Sequence, residues 1–322
     1  MKKLFIVSIF ILLCIFICVN EAAAFWVWTP KTEKWINPKY APKDTPEKQY
    51  DYAMSFYEHD EYKKAATEFE KLINSFEGSS LVPDAGYYGG LSYEKDKDYY
   101  RAYLLYNKII SQYPKSKRNP QIIEQMYNVG VLFLNGAKRK IMGLEVLPAL
   151  TTSQQIFLSI ITHAPYSAFG DDAQFQLGQA YKKMGNYSMA VEAFGDLLKK
   201  YAESPLVDRA QYEIAICSLQ ASKPAAYEQE TTEKAIKEFE DFMDESPPDD
   251  LKQEAQKTII ELKSRKAKHD YDIAKYYESR REYVSALIYY KSVVDNYPGT
   301  EWATLSETQV ELVQEKVDKK AK

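Results

Sequence analysis

Asp172 to Ala202 reads DAQFQLGQAYKKMGNYSMAVEAFGDLLKKYA, and this stretch decides the fold. Leu177, Gly178 and Tyr181 fall on one face of a first helix, and Ala190, Phe194 and Leu197 repeat at helical spacing on a second. Gly185-Asn186-Tyr187 supplies the turn between them. The small residues at 178 and 190 let the two helices approach closely, while Tyr181 and Phe194 fill the space around the contact.

A single helix pair cannot bury its apolar face, so neighbouring copies are required. Upstream, Gly90, Tyr93, Ala102, Tyr106, Ile109 and Pro114 hold the same offsets, preceded by Ala53, Phe56, Ala65, Phe69 and Leu72. Near the C-terminus the offsets return at Ala274, Tyr277, Ala286, Tyr290, Val293 and Pro298. Two further copies carry insertions: Gly130, Phe133, Phe157, Ile160 and Pro165; and Ala215, Ser218, Ala235, Phe239, Phe242 and Pro247. The spacing resembles the tetratricopeptide pattern L-G-x2-Y, A-x3-F. The expected fold is therefore all-α, a right-handed α-α superhelix of six tetratricopeptide-like helix pairs with a C-terminal capping helix. Polar breaks divide the pairs into 45–80, 81–118, 119–167, 168–204, 205–247 and 248–300, with a long helix over 250–281 and a final one over 301–322.

Three domains follow. Residues 1–24 read as a signal peptide: Lys2-Lys3, an apolar run from Leu4 to Val19, and Ala22-Ala23-Ala24 before Phe25. An uncleaved anchor is the alternative reading of the same run. Residues 25–44 form an extended linker rich in proline and aromatics; Trp26, Trp28 and Trp35 imply packing on the first repeat, contact with a partner, or anchoring at a membrane interface. Residues 45–322 are the solenoid, opened by Thr45 as N-cap and Pro46 in the first turn. Cys14 and Cys18 lie in the signal, each preceded by a bulky residue, Leu13 and Ile17, which argues against lipidation. That leaves Cys217, expected to be a buried thiol.

The formal charge of −4 and the lack of a dense basic tract exclude a phosphate-backbone binder, so no nucleic-acid partner is expected. His59, His163 and His269 stand in separate repeats, without a second histidine or a cysteine at metal-ligand spacing. No nucleophile elbow, phosphate loop or dinucleotide fingerprint is present, and acidic pairs such as Asp171-Asp172 sit at helix starts, where they serve free amides. Neither catalytic residues, metal nor cofactor are expected; the function lies in a surface.

Two surfaces suggest themselves. An aromatic stands three residues before each small position, at Tyr50, Tyr87, Tyr127, Phe175, Tyr212 and Tyr271, about 60° round the helix from it, and could line the inner groove. In the last repeat, Arg280 and Arg281 with Tyr276, Tyr277 and Tyr283 give the arginine-plus-aromatic composition in which interface hot spots are enriched. The insertion 135–152, with Ile141, Leu144, Val146 and Leu147, is too apolar to hang in water and either packs back or meets a partner. A second insertion, 222–232, reads as a polar loop.

Ala267 to Ala303, AKHDYDIAKYYESRREYVSALIYYKSVVDNYPGTEWA, resembles the last helix pair of the BamD-type outer-membrane assembly factors of Gram-negative bacteria, and Gln229, Thr231, Ala235, Phe239 and Phe242 resemble that family's long-turn repeat. The likeness weakens upstream, and the chain carries more repeats and lacks the family's lipobox. The resemblance implies a non-enzymatic scaffold in the periplasm, peripherally associated with the outer membrane, whose C-terminal repeats dock a β-barrel assembly protein and whose N-terminal groove receives unfolded outer-membrane protein segments. A periplasmic tetratricopeptide adaptor for envelope synthesis or division, and an accessory subunit of a periplasmic enzyme, are the rival readings.

Overall fold

A computed structural model describes residues 27–29, 34–37, 41–141, 144–221, 228–245 and 247–321. The signal peptide reading, its cleavage point and both lipidation candidates lie outside the described residues, as does most of the second insertion. The chain divides into two compact units, Met1–Lys97 and Asp98–Lys322.

The first unit holds a small hairpin, β1 (Val27–Thr29) with β2 (Lys34–Ile36), and three helices: α1 (Pro46–Glu58), α2 (Tyr62–Ser75) and α3 (Val82–Lys95). The linker is thus not merely extended, because Trp28 pairs directly across from Trp35 and their rings meet edge to face at 5.7 Å. Helix α1 starts as its sequence dictates: Thr45 has extended dihedrals and its hydroxyl accepts from the Lys48 amide. Helix α2 buries Ala65, Ala66, Phe69, Leu72 and Ile73, a single stripe at helical spacing.

The second unit contains α4 (Tyr99–Gln112), α5 (Asn119–Leu134), a hairpin of β3 (Lys138–Ile141) and β4 (Leu144–Pro148), α6 (Leu150–His163), α7 (Gly170–Lys183), α8 (Tyr187–Lys200), α9 (Val207–Ala221), α10 (Glu228–Asp244), the 31-residue α11 (Asp249–Ser279), α12 (Tyr283–Asn296) and α13 (Glu301–Ala321). Successive helices pack against one another through this unit. The fold is all-α and tetratricopeptide-like, and both insertion-bearing repeats keep their seams. A Cβ on Gly178 would stand 2.5 Å from the Phe194 ring, and one on Gly130 would stand 2.8 Å from Phe157 across the first insertion. Only glycine allows these approaches. The N-terminal half of α11 buries Leu251, Ala255, Ile259 and Leu262 with α9 and α10, and its C-terminal half places Ala274 with Ala286 and Tyr290 of α12. Helix α13 covers that last pair through Val313, which is fully buried.

Repeated hydrogen bonds underlie the repeated sequence. Inside four pairs the turn closes by an i to i−5 bond, Glu61 to Phe56, Ala137 to Leu132, Asn186 to Tyr181 and Glu282 to Tyr277, each following a residue with positive φ. Between pairs, the hydroxyls of Ser79, Ser116 and Ser204 each accept from the amide two residues on. Buried Gln49 and Gln174, each four residues before a seam residue, donate to the Glu68 and Ala193 carbonyls on the partner helix at 3.0 and 2.8 Å.

The two short hairpins depart from the expectation of a chain without sheet. Strands of three to five residues give too little alternation to register against helical periodicity. In the first insertion, β3 lies against α4, and the Arg139 guanidinium sits 3.7 Å from the centre of the Tyr100 ring.

Candidate interaction surfaces

Helix α11 ends at Ser279, and Arg280 caps it with its amide directed at the Tyr276 and Tyr277 carbonyls. Both arginines are exposed. The Arg280 guanidinium donates to the Tyr276 hydroxyl at 2.7 Å and lies 5.2 Å from that ring, which is 54% exposed. This pair faces solvent together. Tyr277 instead turns inward and stacks on Tyr289 at 5.5 Å, while the half-buried Tyr283 has the Lys316 and Lys320 ammonium groups each 5.8 Å from its ring. The five residues therefore divide: Tyr276, Arg280 and Arg281 present themselves outward, and Tyr277 and Tyr283 fix the frame behind them.

That frame is pinned by Glu278, which accepts from Tyr290 at 2.9 Å and from Lys316 at 2.8 Å and so ties α11, α12 and α13 together. Burial pushes the Glu278 carboxyl up, but the bonds from Lys316 and Tyr290 outweigh it and hold the group below the usual glutamate value. Burial and the Glu278 bond both push the Tyr290 hydroxyl well above the usual tyrosine value. Beside them, Val284 and Ile288 on α12 are 62% and 63% exposed, and an open cleft of about 490 Å³ is lined by Tyr283, Val284, Val317 and Lys320. Sequence reasoning passed over Val284 and Ile288. They sit two residues before Ala286 and Tyr290, on the opposite side of a helix whose buried face was already read.

The aromatic stripe is mostly internal packing. Tyr50 meets Phe69 at 5.7 Å, Tyr127 meets Phe157 at 5.9 Å, Phe175 meets Phe194 at 5.3 Å, Tyr212 meets Phe239 at 5.6 Å and Tyr271 meets Tyr290 at 5.5 Å. The offset from the small residue lets each ring lean over the seam onto the aromatic of the second helix. Phe175 and Tyr212 are buried, which corrects the expectation that they face a groove. Tyr50, Tyr87, Tyr127 and Tyr271 are half-buried.

Within the first unit, Tyr52 and Phe56 meet edge to face at 4.9 Å over a cleft of about 810 Å³ that includes Lys64, Thr67 and Lys95. Lys43 lies 3.9 Å from the centre of the Tyr52 ring. The spacing of Tyr52 and Phe56 at i, i+4 was the available signal.

Among the described residues, no group of three or more His, Cys, Asp or Glu could hold a metal, and the three histidines engage local partners: Ser55, Ser159 and Asp270. Asp171 accepts from the Ser204 hydroxyl at 2.6 Å, and burial, with the Asp171 charge, raises its neighbour Asp172. Cys217 is buried, and that burial pushes its thiol up to about 11.

The sequence pattern of the YfiO family, described as outer membrane lipoprotein, matches residues 149–319, just over half of the chain and the stretch that contains the arginine-tyrosine surface. The chain belongs to the YfiO family. A tetratricopeptide repeat pattern matches residues 49–79 and 84–116 of this YfiO-family chain. No curated protein matches it. Among solved structures, it is similar to a tetratricopeptide repeat protein from Parabacteroides merdae, with 13% identity, 84% of this chain and 98% of that one covered, and a TM-score of 0.35. It is also similar to the C-terminal part of a repeat protein from Cytophaga hutchinsonii, with 16% identity, coverage of 82% and 88%, and a TM-score of 0.36. A third, a thermophilic tetratricopeptide protein from Thermus thermophilus, gives 14%, 67% and 99%, and 0.31. Among the described residues, no helix is long and apolar enough to cross a membrane.

Proposed function

We propose that this chain is a non-enzymatic, BamD-type scaffold of the periplasm, associated with the outer membrane, that docks a β-barrel assembly protein through its C-terminal repeats. The observation that carries the reading is the YfiO match over residues 149–319, which coincides with the repeats whose sequence resembles that of BamD-type factors. The exposed Tyr276, Arg280, Val284 and Ile288 support it, since they combine an arginine and an aromatic with apolar area beside a cleft. Behind them, Glu278 links α11, α12 and α13. Unfolded outer-membrane protein segments are the proposed clients of the N-terminal repeats, where the cleft beside Tyr52 and Phe56 supplies an aromatic, lysine-bearing lining.

The test is affinity capture of the tagged full-length chain from envelope extract, followed by mass spectrometry. A β-barrel protein carrying periplasmic repeat domains is the expected partner, and Arg280→Glu with Arg281→Glu should release it. Recovery of cell-wall synthesis or division proteins in its place would favour the adaptor reading and overturn this one.

A further inference from the structure

The β1–β2 hairpin presents two exposed tryptophans within a basic stretch of sequence. Three of the four tryptophans, Trp26, Trp28 and Trp35, fall within ten residues, with Lys31 and Lys34 between them and Lys39 just after, against the single acid Glu33, in a chain of formal charge −4. Trp28 and Trp35 occupy directly opposite register positions, so they share one face of the ribbon. They pack on each other, yet remain 44% and 62% exposed, and the first repeat does not bury them.

A two-stranded ribbon is marginal by itself in water, and it gains when its apolar face is covered. An indole has an apolar body and a polar N–H, which suits it to the boundary between acyl chains and headgroups, and neighbouring lysines add attraction to anionic lipid. Just beyond the ribbon the chain is fixed to α1: the Lys43 amide donates to Gln49 Oε1 at 2.8 Å.

We propose that the Trp28–Trp35 face of this hairpin is a membrane contact that seats in the headgroup layer of an anionic lipid bilayer, with Lys31, Lys34 and Lys39 supplying the charge preference. A basic, tryptophan-bearing segment on an acidic protein is complementary to an anionic lipid surface, whose boundary offers the paired indoles an apolar and a polar layer together. This contact is independent of the barrel-assembly reading.

The experiment compares the exported full-length chain with Trp28→Ser/Trp35→Ser, each mixed with vesicles of phosphatidylcholine alone or with phosphatidylglycerol. Tryptophan emission of the wild type shifts to the blue with the anionic vesicles, and flotation shows the variant binding at least about tenfold more weakly, the change produced by ~1.4 kcal/mol of lost contact. Added salt weakens the wild-type interaction. Lys31→Gln/Lys34→Gln/Lys39→Gln removes the preference for phosphatidylglycerol. Far-ultraviolet circular dichroism verifies that both variants keep their helices, as expected for changes outside the repeats. Equal flotation of wild type and the tryptophan variant would assign membrane binding to another segment and overturn the proposal. So would an unmoved emission together with loss of a co-purifying protein from the variant, which would make the hairpin a protein-docking site.

Discussion

Gly178→Ala is a one-methyl test of the seam that defines the repeat. The added Cβ would lie 2.5, 2.6 and 2.7 Å from Cε1, Cζ and Cδ1 of Phe194, against an ordinary carbon contact of about 3.5–4.0 Å. The ring must retreat by about 1 Å on this contact distance. It has little room, because Phe194 is fully buried and its ring also meets Phe175 at 5.3 Å. Overpacking of this kind costs about 1–3 kcal/mol, and a ring edge obstructed at three atoms belongs at the upper end. Alanine is favoured over glycine in a helix by about 1 kcal/mol, so a net loss near ~2 kcal/mol remains. Gly195 in α8 is the internal control, since a Cβ there meets nothing within 4 Å and Gly195→Ala should stabilise by about 1 kcal/mol. At about 2–4 °C per kcal/mol for a unit of this size, the two variants should move the melting temperature in opposite directions, by about −4 to −8 °C and +2 to +4 °C. Thermal circular dichroism reads the global shift, and hydrogen exchange across α7 and α8 reads the local one. Equal shifts of the same sign would refute the close approach at Gly178 and with it the alignment of the repeats.

Glu278 is held below its ordinary value in the fold, so its contribution is present above the unfolded value near 4.5 and lost as pH falls through the folded one; the melting temperatures of wild type and Glu278→Gln should differ near neutral pH and converge in acid. Cys217, with its thiol pushed up to about 11, should resist a thiol reagent at neutral pH and react stoichiometrically on denaturation; prompt native reaction would contradict its burial. Intact mass of the envelope form should match a chain beginning at Phe25 without lipid, and a diacylglyceryl mass on Cys14 or Cys18 would refute the argument from bulky Leu13 and Ile17. Arg281→Gly should raise stability by about 1 kcal/mol yet weaken capture of the barrel partner, whereas Lys97→Gly should give the first effect without the second.

The seams were legible because each rests on residues whose spacing alone puts them in contact: Gly178 over Phe194, Gly130 over Phe157, Ala274 beside Ala286. Insertions did not hide them, since a helix face keeps its phase however long the loop that follows. What escaped was set by space rather than by phase. The Gln49 and Gln174 bonds join residues nineteen apart across a pair, and nothing in a glutamine's sequence neighbourhood announces its acceptor. The compact-unit boundary between Lys97 and Asp98 falls inside a stretch, 81–118, whose sequence reads as one uninterrupted repeat. The aromatic stripe was seen in sequence, but its direction was not: rings such as Phe175 and Tyr212 lean over the seam onto Phe194 and Phe239 of the second helix, a contact that the spacing within one helix does not announce.

Among the described residues, the turns inside the pairs separate what folding needs from what the surface adds. Their left-handed residue is Gly136 or Gly185 in two pairs, with φ of 98° and 73°, and there the absence of a Cβ makes the conformation free of strain. Asp60 has φ of 59°, which a short polar side chain tolerates. Lys97 and Arg281, at 59° and 62°, have no such excuse, and a left-handed residue with a long side chain costs about 1–2 kcal/mol. At Arg281 the bonds of the turn use only its own backbone: its amide donates to the Glu278 carbonyl and its carbonyl accepts from the Lys320 ammonium, while the Glu282 amide returns to the Tyr277 carbonyl. Glycine would keep every one of them. The exposed side chain therefore contributes nothing to the turn that holds it, and it stands next to the Tyr276–Arg280 pair on the face proposed to bind. Strain under an exposed side chain that the turn does not use motivates a contact role at Arg281, and its place beside the Tyr276–Arg280 pair, which Lys97 lacks, is what singles it out. If Arg281→Gly stabilises the chain and capture of the partner is undiminished, the arginine is a tolerated cost, and the docking face must be sought along Val284 and Ile288 instead.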